Sequence, residues 1–324
     1  MRSPFNQQKH NTMSNTIIRP RTREEWLEVR KGGIGSSEVA TIVGLNPYET
    51  PYQLWRRKKG LDEPKDETFA MKAGHYLEDA VSRFWADETG REVIKASAGD
   101  WIIRDDARTY LQVSPDRTYW LGDSRANDAK GILECKTTQR SIDADDLPKH
   151  WFCQVQYQLG VAGLQHGSLA WLCAGREFGY KDIDLVPDFF EWLTDEVTRF
   201  WVDNIKGGAE PSAVNVADVL LKYNQHTDGK VVEAGADAFE AYNKLKVLKD
   251  EIAALEEAKA EAEEVLKMAI GDAEAIAYDG QTLATWKTAK AGEKIDTKAL
   301  KAAHPDIVKE FTKSTPGSRR FLLK

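Results

Sequence analysis

The segment 131–138, which reads Gly-Ile-Leu-Glu-Cys-Lys-Thr-Thr, constrains this chain more than any other stretch. Its length and apolar content predict a β-strand, in which side chains alternate between the two faces of the sheet. Glu134 and Lys136 then share one face, while Leu133 and Cys135 share the other. An acid and a base therefore project side by side from a rigid element.

A second strand-like run, 111–113, ends shortly before Asp116, and turn residues fill the gap to residue 131. The pattern predicts a hairpin with a long loop, which brings Asp116 next to Glu134. Two carboxylates with a backbone carbonyl between them form an oxygen-rich site that suits Mg²⁺ or Mn²⁺. Lys136 is then placed to orient or deprotonate a water, and phosphodiester hydrolysis is the chemistry that such a site serves. The alternative is an amphipathic hairpin with a surface Glu/Lys pair.

Composition sets broad limits on the class of protein. A chain of 324 residues can bury a substantial core, and its net charge of −7 neither favours nor excludes nucleic acid, because lysine and arginine cluster locally. The three cysteines have no CxxC spacing, which favours a reducing cytoplasm over disulfides or structural zinc. No apolar run approaches the roughly 20 residues that span a bilayer, so we expect no membrane association. Residues 1–16 lack the apolar centre of a signal peptide, and we interpret 1–19 as a disordered tail.

The residues that follow the tail predict a helix at 23–29 and then a glycine-rich loop that leads into a second helix. Ser36 or Ser37 can cap that second helix. A helix N-terminus with hydroxyl groups suits an anion, and Arg30 can bind phosphate through two hydrogen bonds, so a DNA phosphate is one candidate ligand. Ordinary helix capping is the alternative.

Thr50 and Pro51 predict the start of another helix, which ends near Gly60. Its last turn carries the basic run Arg56-Arg57-Lys58-Lys59. Cations at a helix C-terminus complement the helix dipole, so we expect a solvated face, with contact to a nucleic-acid backbone as the alternative.

Apolar residues recur at helical spacing between Thr68 and Thr89 and predict a buried helix. Glu78 borders the apolar stripe of this helix, where a carboxylate needs a cationic partner. A metal ion is one such partner, and a salt bridge to arginine or lysine is the alternative.

The residues after the strand at 131–138 predict a helix at 148–165, in which Gln154, Tyr157 and Gln158 share a face. Glutamines in an otherwise apolar helix suit a role in holding a water or a phosphate, and plain surface glutamines are the alternative. The pattern then predicts strands at 168–173 and 178–185 and a closing helix at 187–206.

This order of elements predicts an α/β (α+β) fold with a mixed central sheet flanked by helices, over about residues 20–210. A linker is expected at 211–233. Residues 234–324 then form an extension in which nothing suggests catalysis, so we expect it to serve oligomerisation or partner binding.

Within the extension, residues 234–269 are rich in Ala, Glu, Lys and Leu, and three-four spacing of the apolar residues predicts a long helix able to form a coiled coil. Asp279-Gly280 between two alternating runs predicts a β-hairpin. We expect helix again at 297–311 and a final strand at 321–323.

These motifs, in this order and spacing, resemble the YqaJ-type viral recombinases and the phage lambda exonuclease family of PD-(D/E)XK nucleases. The resemblance covers about residues 20–210 and rests on five motifs: Arg30 with Gly33–Glu38, Gly74–Glu78, Ser114–Asp116, Leu133–Lys136 and Gln154–Tyr157. It implies an exonuclease that digests one strand of linear duplex DNA from 5′ to 3′, usually as a ring-shaped trimer. The 3′ overhangs would serve a single-strand annealing protein in phage-type recombination inside the bacterial host cell.

The resemblance also implies a metal site. Asp116, Glu134 and the Cys135 backbone carbonyl would bind Mg²⁺, and Glu78 would complete the carboxylate set. Mn²⁺ is expected to substitute for Mg²⁺, and Ca²⁺ is expected to bind without turnover.

Further roles follow from the same resemblance. Lys136 would assist the attacking water, and Gln154 would help to hold that water or the scissile phosphate. Arg30, Ser37 and Ser36 would receive the DNA 5′-phosphate.

Two features depart from the resemblance. The phosphate pocket of the lambda exonuclease family uses a second arginine, for which residues 45–50 offer no equivalent before Arg56. The extension beyond residue 210 exceeds that family's length, so a trimer is an expectation by analogy. An endonuclease of the same fold and a DNA-end-binding recombination scaffold without turnover are the alternatives.

Overall fold

The computed structural model describes residues 14–63, 66, 68–94, 101–126, 129–314 and 317–324. The chain divides into two compact units, Met1–Lys222 and Tyr223–Lys324. Within the described ranges, no helix has the length and apolar character needed to cross a membrane. Residues 1–13 of the predicted tail lie outside the described residues.

The first unit contains both helices and strands. Its helices are α1 (Arg23–Lys31), α2 (Ser36–Ile42), α3 (Pro51–Lys58), α4 (Phe69–Thr89), α5 (Lys149–Ala162), α6 (Pro187–Arg199), which continues as a π-helical segment (Phe200–Lys206), and α7 (Val216–Lys222). Its strands are β1 (Asn15–Ile18), β2 (Val93–Ile94), β3 (Ile102–Asp105), β4 (Gln112–Val113), β5 (Arg117–Trp120), β6 (Lys130–Thr138), β7 (His166–Cys173) and β8 (Glu177–Asp184). Each helix predicted before residue 210 is present.

A five-stranded mixed sheet in the order β2-β5-β6-β7-β8 forms the centre of the first unit. Its middle strand β6 pairs antiparallel with β5, where Arg117 lies opposite Leu133, and parallel with β7. Helices cover both faces of β6, since Leu133 packs in one buried cluster with Trp85 of α4, and Ile132 packs in another with Val155 of α5. The predicted mixed sheet between helices is therefore confirmed.

The hairpin predicted between 111–113 and 131–138 is wrong in its partner strand. β4 belongs to a second sheet of order β1-β3-β4, and the strand beside β6 is β5, which begins directly after Asp116. Pro115 lies between β4 and β5, and proline has no N–H for a strand ladder, which separates the two strands. Asp116 still lies next to β6, because it directly precedes the neighbouring strand β5.

The N-terminal segment that the structure describes is ordered into the second sheet. β1 pairs antiparallel with β3, with Ile17 opposite Ile103. The Asn15 side chain donates a hydrogen bond of 3.0 Å to the Ala162 carbonyl at the end of α5. The predicted disordered tail is therefore wrong for residues 15–18, where two consecutive isoleucines favour a strand.

Helix α4 is less buried than its apolar spacing predicted. Trp85 is fully buried and donates a hydrogen bond of 2.7 Å from its indole nitrogen to Ser168 Oγ on β7. Phe69 and Tyr76, in the first half of the helix, are 86% and 75% exposed. The spacing predicts the helix correctly, but only its second half lies over the sheet.

The basic run at the end of α3 forms the expected solvated face only in part, since Arg57 and Lys59 are exposed but the side chain of Lys58 is not. Lys58 is buried, and its Nζ lies 2.8 Å from Glu38 Oε2 on α2. Arg57 donates to Glu38 Oε1 at 3.0 Å, and Arg56 pairs with Asp62 at 2.7 Å. Ion pairs within the fold, which sequence spacing does not reveal, account for these charges.

The first unit extends beyond its predicted end. Asp218 of α7 is fully buried and accepts hydrogen bonds from Thr50 Oγ1 at 2.9 Å and from the Val214 N–H at 3.1 Å. Residues 211–222 therefore belong to the first unit and not to the linker predicted at 211–233.

The second unit contains α8 (Ala236–Ile270), β9 (Ala275–Tyr278), β10 (Gln281–Thr285), α9 (Thr297–Ala303) and α10 (Pro305–Glu310). The long helix and the hairpin are as predicted, and Asp279 and Gly280 both have positive φ, as a tight two-residue hairpin turn requires. The strand predicted at 321–323 is wrong, since these described residues are not in a strand.

Candidate active site

Glu134 is the most heavily bonded side chain of the site. It lies at the centre of β6 and is 2% exposed. Its Oε1 accepts hydrogen bonds from Lys136 Nζ at 2.6 Å and from Gln154 Nε2 at 2.5 Å, while its Oε2 accepts one from Gln158 Nε2 at 2.8 Å. The predicted alternation along β6 therefore places Glu134 and Lys136 together, facing the glutamines of α5.

Asp116 lies beside Glu134 on the neighbouring strand. Because Arg117 pairs with Leu133, the residue before Arg117 falls next to the Glu134–Cys135 peptide. Asp116 Oδ2 accepts the Cys135 N–H at 2.7 Å, and this bond fixes the carboxylate against the middle of β6. The predicted pair of carboxylates is thus brought together, with the backbone of Cys135 beside it.

Glu78 approaches the pair from α4. Its Oε1 lies 3.0 Å from Nδ1 of His75, one turn earlier on the same helix. Burial raises the pKa of Glu78, His75 lowers it in part, and the negative charge of Glu134 raises it further. The alternative that we weighed against a metal for Glu78 was a salt bridge to arginine or lysine, and the side chain that Glu78 contacts at 3.0 Å is a histidine.

The site concentrates negative charge in a buried place. Burial raises the pKa of Asp116 well above its ordinary value, and the charges of Glu134 and Glu78 raise it further. Burial lowers the pKa of Lys136, but the charges of Glu134 and Asp116 outweigh that effect and leave it raised. Lys136 is therefore a cation at neutral pH, and it balances only part of the charge of the carboxylates.

The donor set of this site fits a hard divalent cation. Within the described ranges, no three His, Cys, Asp or Glu side chains are arranged ready to hold a metal ion. Both oxygens of Glu134 and one oxygen of Asp116 accept hydrogen bonds from N–H donors. Burial and the neighbouring carboxylates make the ionised form of Asp116 unfavourable, and a bound cation would offset both effects. Asp116, Glu134 and Glu78 are the side chains that could hold it.

A cleft of about 720 Å³ connects this acidic site with the predicted phosphate-binding residues. Glu78, Asp116 and Gln154 line one part of it, and Arg30 and Ser37 line another. The sequence motifs for a metal and for an anion, which lie far apart in the chain, therefore open onto the same cleft.

The basic end of the cleft is organised around Trp26. The guanidinium carbons of Arg23 and Arg30 lie 4.3 and 4.5 Å from the centroid of the Trp26 ring. Arg30 also donates a hydrogen bond of 3.3 Å to Ser37 Oγ. Gly35 permits this approach, since a Cβ there would lie 2.9 Å from an Arg30 nitrogen. The basic end therefore presents guanidinium and hydroxyl groups that could bind an anion together.

The predicted helix cap is displaced by one residue. Gly35 is the N-cap of α2, and Ser36 and Ser37 are its first helical residues. The Gly35 N–H is bound by Glu38 Oε2 at 2.8 Å, so it is not available to an anion. Ser36 is buried, and its Oγ accepts a hydrogen bond of 3.2 Å from Gln158. Of the two predicted serines, Ser37 is the one whose hydroxyl contacts Arg30.

Three residues of the site were not assigned a role from the sequence, Arg23, Trp26 and His75, and Gln158 had only the general role suggested for the glutamines of its helix. Gln158 follows Gln154 by one helical turn, and that spacing was the available signal, since both side chains reach Glu134. Arg23, Trp26 and Arg30 follow the same rule along α1, at intervals of three and four residues. These spacings are common on helices that have no site, so the contacts require the structure.

The fold and the site together have the architecture of a PD-(D/E)XK nuclease core, with Asp116 and Glu134-Cys135-Lys136 on adjacent strands of a mixed sheet. Residues 25–165 match the YqaJ-like viral recombinase domain. Over 314 residues the chain is 30% identical to YqaJ of Bacillus subtilis (strain 168), a match that covers 94% of each chain. The chain belongs to the YqaJ-like viral recombinase family.

Two solved structures are similar to part of the chain. The alkaline exonuclease LHK-Exo from Laribacter hongkongensis is 19% identical with a TM-score of 0.44, over 57% of this chain and 93% of that one. A phage related exonuclease from Haemophilus somnus 129PT is 10% identical with a TM-score of 0.38, over 55% of this chain and 96% of that one. At such low similarity, the roles of residues in this chain follow from its own geometry.

Proposed function

We propose that this protein is a Mg²⁺-dependent 5′-to-3′ exonuclease that degrades one strand of linear duplex DNA and leaves 3′ single-stranded overhangs. The observation that carries this proposal is a single cleft with two chemically distinct ends. Its acidic end has Asp116 and Glu78, which suit a hard cation, and its basic end has Arg30 and Ser37, which suit a phosphate. Membership of a viral recombinase family supports DNA as the substrate.

The basic end of the cleft supports the proposed 5′-to-3′ polarity. A terminal 5′-phosphate carries charge that a guanidinium binds, whereas a 3′ end carries a neutral hydroxyl group. A strand held by its 5′-phosphate at Arg30 would place a nearby phosphodiester at the carboxylates of the same cleft. Nucleotides would then leave from the 5′ end.

Four groups would hold the metal: Asp116, Glu134, Glu78 and the Cys135 carbonyl. The metal would lower the pKa of a water molecule and offset negative charge on the phosphate. We expect Mn²⁺ to substitute for Mg²⁺ and Ca²⁺ to bind without turnover.

Lys136 and Gln154 act on the reacting groups. Lys136 Nζ lies 2.9 Å from Gln154 Oε1, so Gln154 still holds the ammonium group when Glu134 turns toward a cation. Lys136 then donates a hydrogen bond to the attacking water or to a phosphate oxygen. Gln154, which lines the cleft, orients the same water or phosphate.

We further propose that residues 234–324 serve assembly or recruit a partner, with a trimer as the oligomer expected from the family resemblance. Leu245, Ile252 and Leu255 of α8 are exposed in the described part of the second unit, which leaves an apolar stripe for another chain. The partner expected for a 3′ overhang is a single-strand annealing protein in the cytoplasm of the bacterial host. Intact assembly and partner binding after deletion of 223–324 would rule this out.

Linear duplexes labelled at one 5′ end or at one 3′ end, with and without a 5′-phosphate, test the proposal in Mg²⁺. The expected result is release of 5′-terminal mononucleotides, faster on phosphorylated ends, with the complementary strand left intact. A closed circular plasmid is the matched control, and we expect it to stay uncut. Cleavage of the circle would indicate an endonuclease, and binding to ends in Ca²⁺ with no digestion in Mg²⁺ or Mn²⁺ would indicate a scaffold.

A further inference from the structure

Glu38 and Lys58 form a buried ion pair behind the phosphate-binding loop, by which we mean residues 30–37. Their side chains are 5% and 7% exposed, and Lys58 Nζ lies 2.8 Å from Glu38 Oε2. The residues that line the cleft include Arg30, Gly35, Ser36 and Ser37 from this loop but neither member of the pair. The pair therefore contacts the loop without lining the cleft.

Both members of the pair bind the backbone of the phosphate-binding loop. Glu38 Oε2 accepts the Gly35 N–H at 2.8 Å. Lys58 Nζ donates to the Gly33 carbonyl at 2.7 Å and to the Arg30 carbonyl at 3.4 Å. One ion pair thus satisfies backbone groups at the start, the middle and the end of the turn that carries Arg30 and Gly35.

Other contacts limit the positions that this loop can adopt. Gln112 Nε2 donates to the Arg30 carbonyl at 2.8 Å, and the Ile34 N–H donates to the Tyr110 carbonyl at 2.7 Å. A Cβ at Gly33 would lie 2.5 Å from that same Tyr110 oxygen, so the loop lies close against the strand segment that contains Gln112. Because the loop is held on this side too, loss of the ion pair would change its geometry locally and would not release it completely.

The side chains around Glu38 carry more positive than negative charge. Arg57 NH1 lies 3.0 Å from Glu38 Oε1, and the positive charges of Lys58, Arg57 and Arg30 all act on this carboxylate. Arg57 also pairs with Glu49 at 2.8 Å, so two carboxylates face three cations, of which Arg30 reaches the cleft. The surplus positive charge is directed to the place where the proposed terminal phosphate would bind.

We propose that Glu38 and Lys58 are positioning residues that set the preference for a phosphorylated 5′ end, by fixing Arg30 and Ser37 without contacting the DNA. The basic run in α3 thereby has a role at the site. This inference rests on the proposed exonuclease function, because it explains why that exonuclease would prefer a phosphorylated 5′ end.

The test compares kcat/KM for duplexes with a 5′-phosphate and with a 5′-hydroxyl, measured on the same preparation of each variant. The ratio of the two values is independent of the fraction of folded enzyme, so a loss of stability alone leaves it unchanged. We expect Lys58→Met to lower the ratio about tenfold or more, since a small misplacement of a binding group has effects of that order. Lys58→Arg keeps the charge and the donors and should retain most of the ratio.

Lys59→Met is the matched control, because Lys59 is the next residue and its Nζ binds the Ile205 carbonyl at 3.3 Å, away from the loop. It should keep the wild-type ratio. If Lys58→Met does not fold, the double variant Glu38→Gln/Lys58→Met removes both charges and leaves neither one buried alone, and it should show the same loss.

The outcomes separate the two proposals. A wild-type protein that digests both ends equally well overturns the phosphate site, and the inference with it. A wild-type preference that survives unchanged in Lys58→Met, or in the double variant, overturns the inference alone. A lost preference in Lys58→Met that Lys58→Arg restores supports both.

Discussion

Gln158 Nε2 lies 2.8 Å from Glu134 Oε2 and 3.2 Å from Ser36 Oγ, so one buried amide connects the acidic end of the cleft with the phosphate-binding loop. We expect Gln158→Leu to lower kcat about tenfold to a hundredfold, since Glu134 loses one of the donors that orient it. It should also lower the free energy of unfolding by about 2 kcal/mol, through loss of a hydrogen bond to a charged group. Steady-state kinetics and urea unfolding measure the two effects.

Gln156→Leu is the matched control for this prediction. Gln156 is equally buried on α5, but its amide binds the Asp184 carbonyl and the Val186 N–H, both at 2.8 Å, which lie outside the cleft lining. It should lose stability and keep its kcat per folded molecule. An equal loss of kcat in both variants would show that α5 acts only through folding.

Replacing Lys136 tests the chemistry directly. Lys136→Met keeps the apolar stem and removes the ammonium that binds Glu134 and Gln154, so we expect the cleavage rate to fall by roughly 10²- to 10⁴-fold. Single-turnover digestion of linear duplex in Mg²⁺ measures the rate. Lys130→Met, at the start of the same strand where Lys130 lies over Trp120, is the control and should cleave normally. Full activity in Lys136→Met would contradict the assigned site.

The carboxylate cluster predicts an unusual effect on stability. Burial and the charge of Glu134 raise the pKa of Asp116, so the ionised form is less favourable in the folded protein than in the unfolded chain. In EDTA at neutral pH, Asp116→Asn should therefore unfold at a higher temperature than the wild type, while its activity in Mg²⁺ is lost. The gain should shrink as the pH falls toward the ordinary pKa of aspartate and should disappear below it, where the folded and the unfolded chain are both protonated.

Melting temperatures measured with added Ca²⁺ test whether Asp116 binds the cation. A cation that binds the folded state raises the melting temperature by mass action, so Ca²⁺ should stabilise the wild type and have little effect on Asp116→Asn. Equal stabilisation of both proteins would place the cation elsewhere.

Glu38 makes stability depend on pH in the opposite direction. Burial raises its pKa, but Lys58, Arg57 and Arg30 outweigh this and lower the value from 4.5 to about 2. A lowered carboxylate pKa stabilises the fold above the unfolded value of about 4.5, and that contribution disappears as the pH falls toward 2. From the shift, the contribution at neutral pH is about 3 kcal/mol.

Urea unfolding of the wild type and of Glu38→Gln between pH 7 and pH 3 measures this contribution. The difference in unfolding free energy should be largest near neutral pH and should narrow through the acidic range. Glu49→Gln is a suitable control, because Glu49 pairs with Arg57 nearer the surface and has no contact with Lys58 in the described structure. A difference that stays constant with pH would contradict the assigned ion pair.

Many elements of both units follow from local patterns in the sequence. Alternation along β6 is sufficient to place Glu134 with Lys136, because a buried strand allows only two directions for its side chains. Apolar spacing similarly predicts α4 and α5, and Asp279-Gly280 predicts the hairpin turn. In each case, residues close together in the sequence determine the local structure.

Contacts between distant segments were not predictable in the same way. Lys58 appears in a basic run at a helix end, where solvent is the usual environment, and only the packing of α3 against α2 brings it to Glu38. The predicted pairing of β6 was wrong because the sequence offers two short strands, one on each side of Pro115, and either could lie beside β6. β1 was missed because its pairing with β3 spans more than 80 residues of sequence.

Helix α5 touches both ends of the cleft. Gln154 and Gln158 bind Glu134 on β6, and Tyr157 donates a hydrogen bond of 3.3 Å to the Ile34 carbonyl in the phosphate-binding loop. Helix α5 therefore contacts both the place where the 5′ end of the strand would be held and the place where the strand would be cut. For the proposed exonuclease, a shift of α5 would therefore move the place of cutting relative to the place where the 5′ end is held.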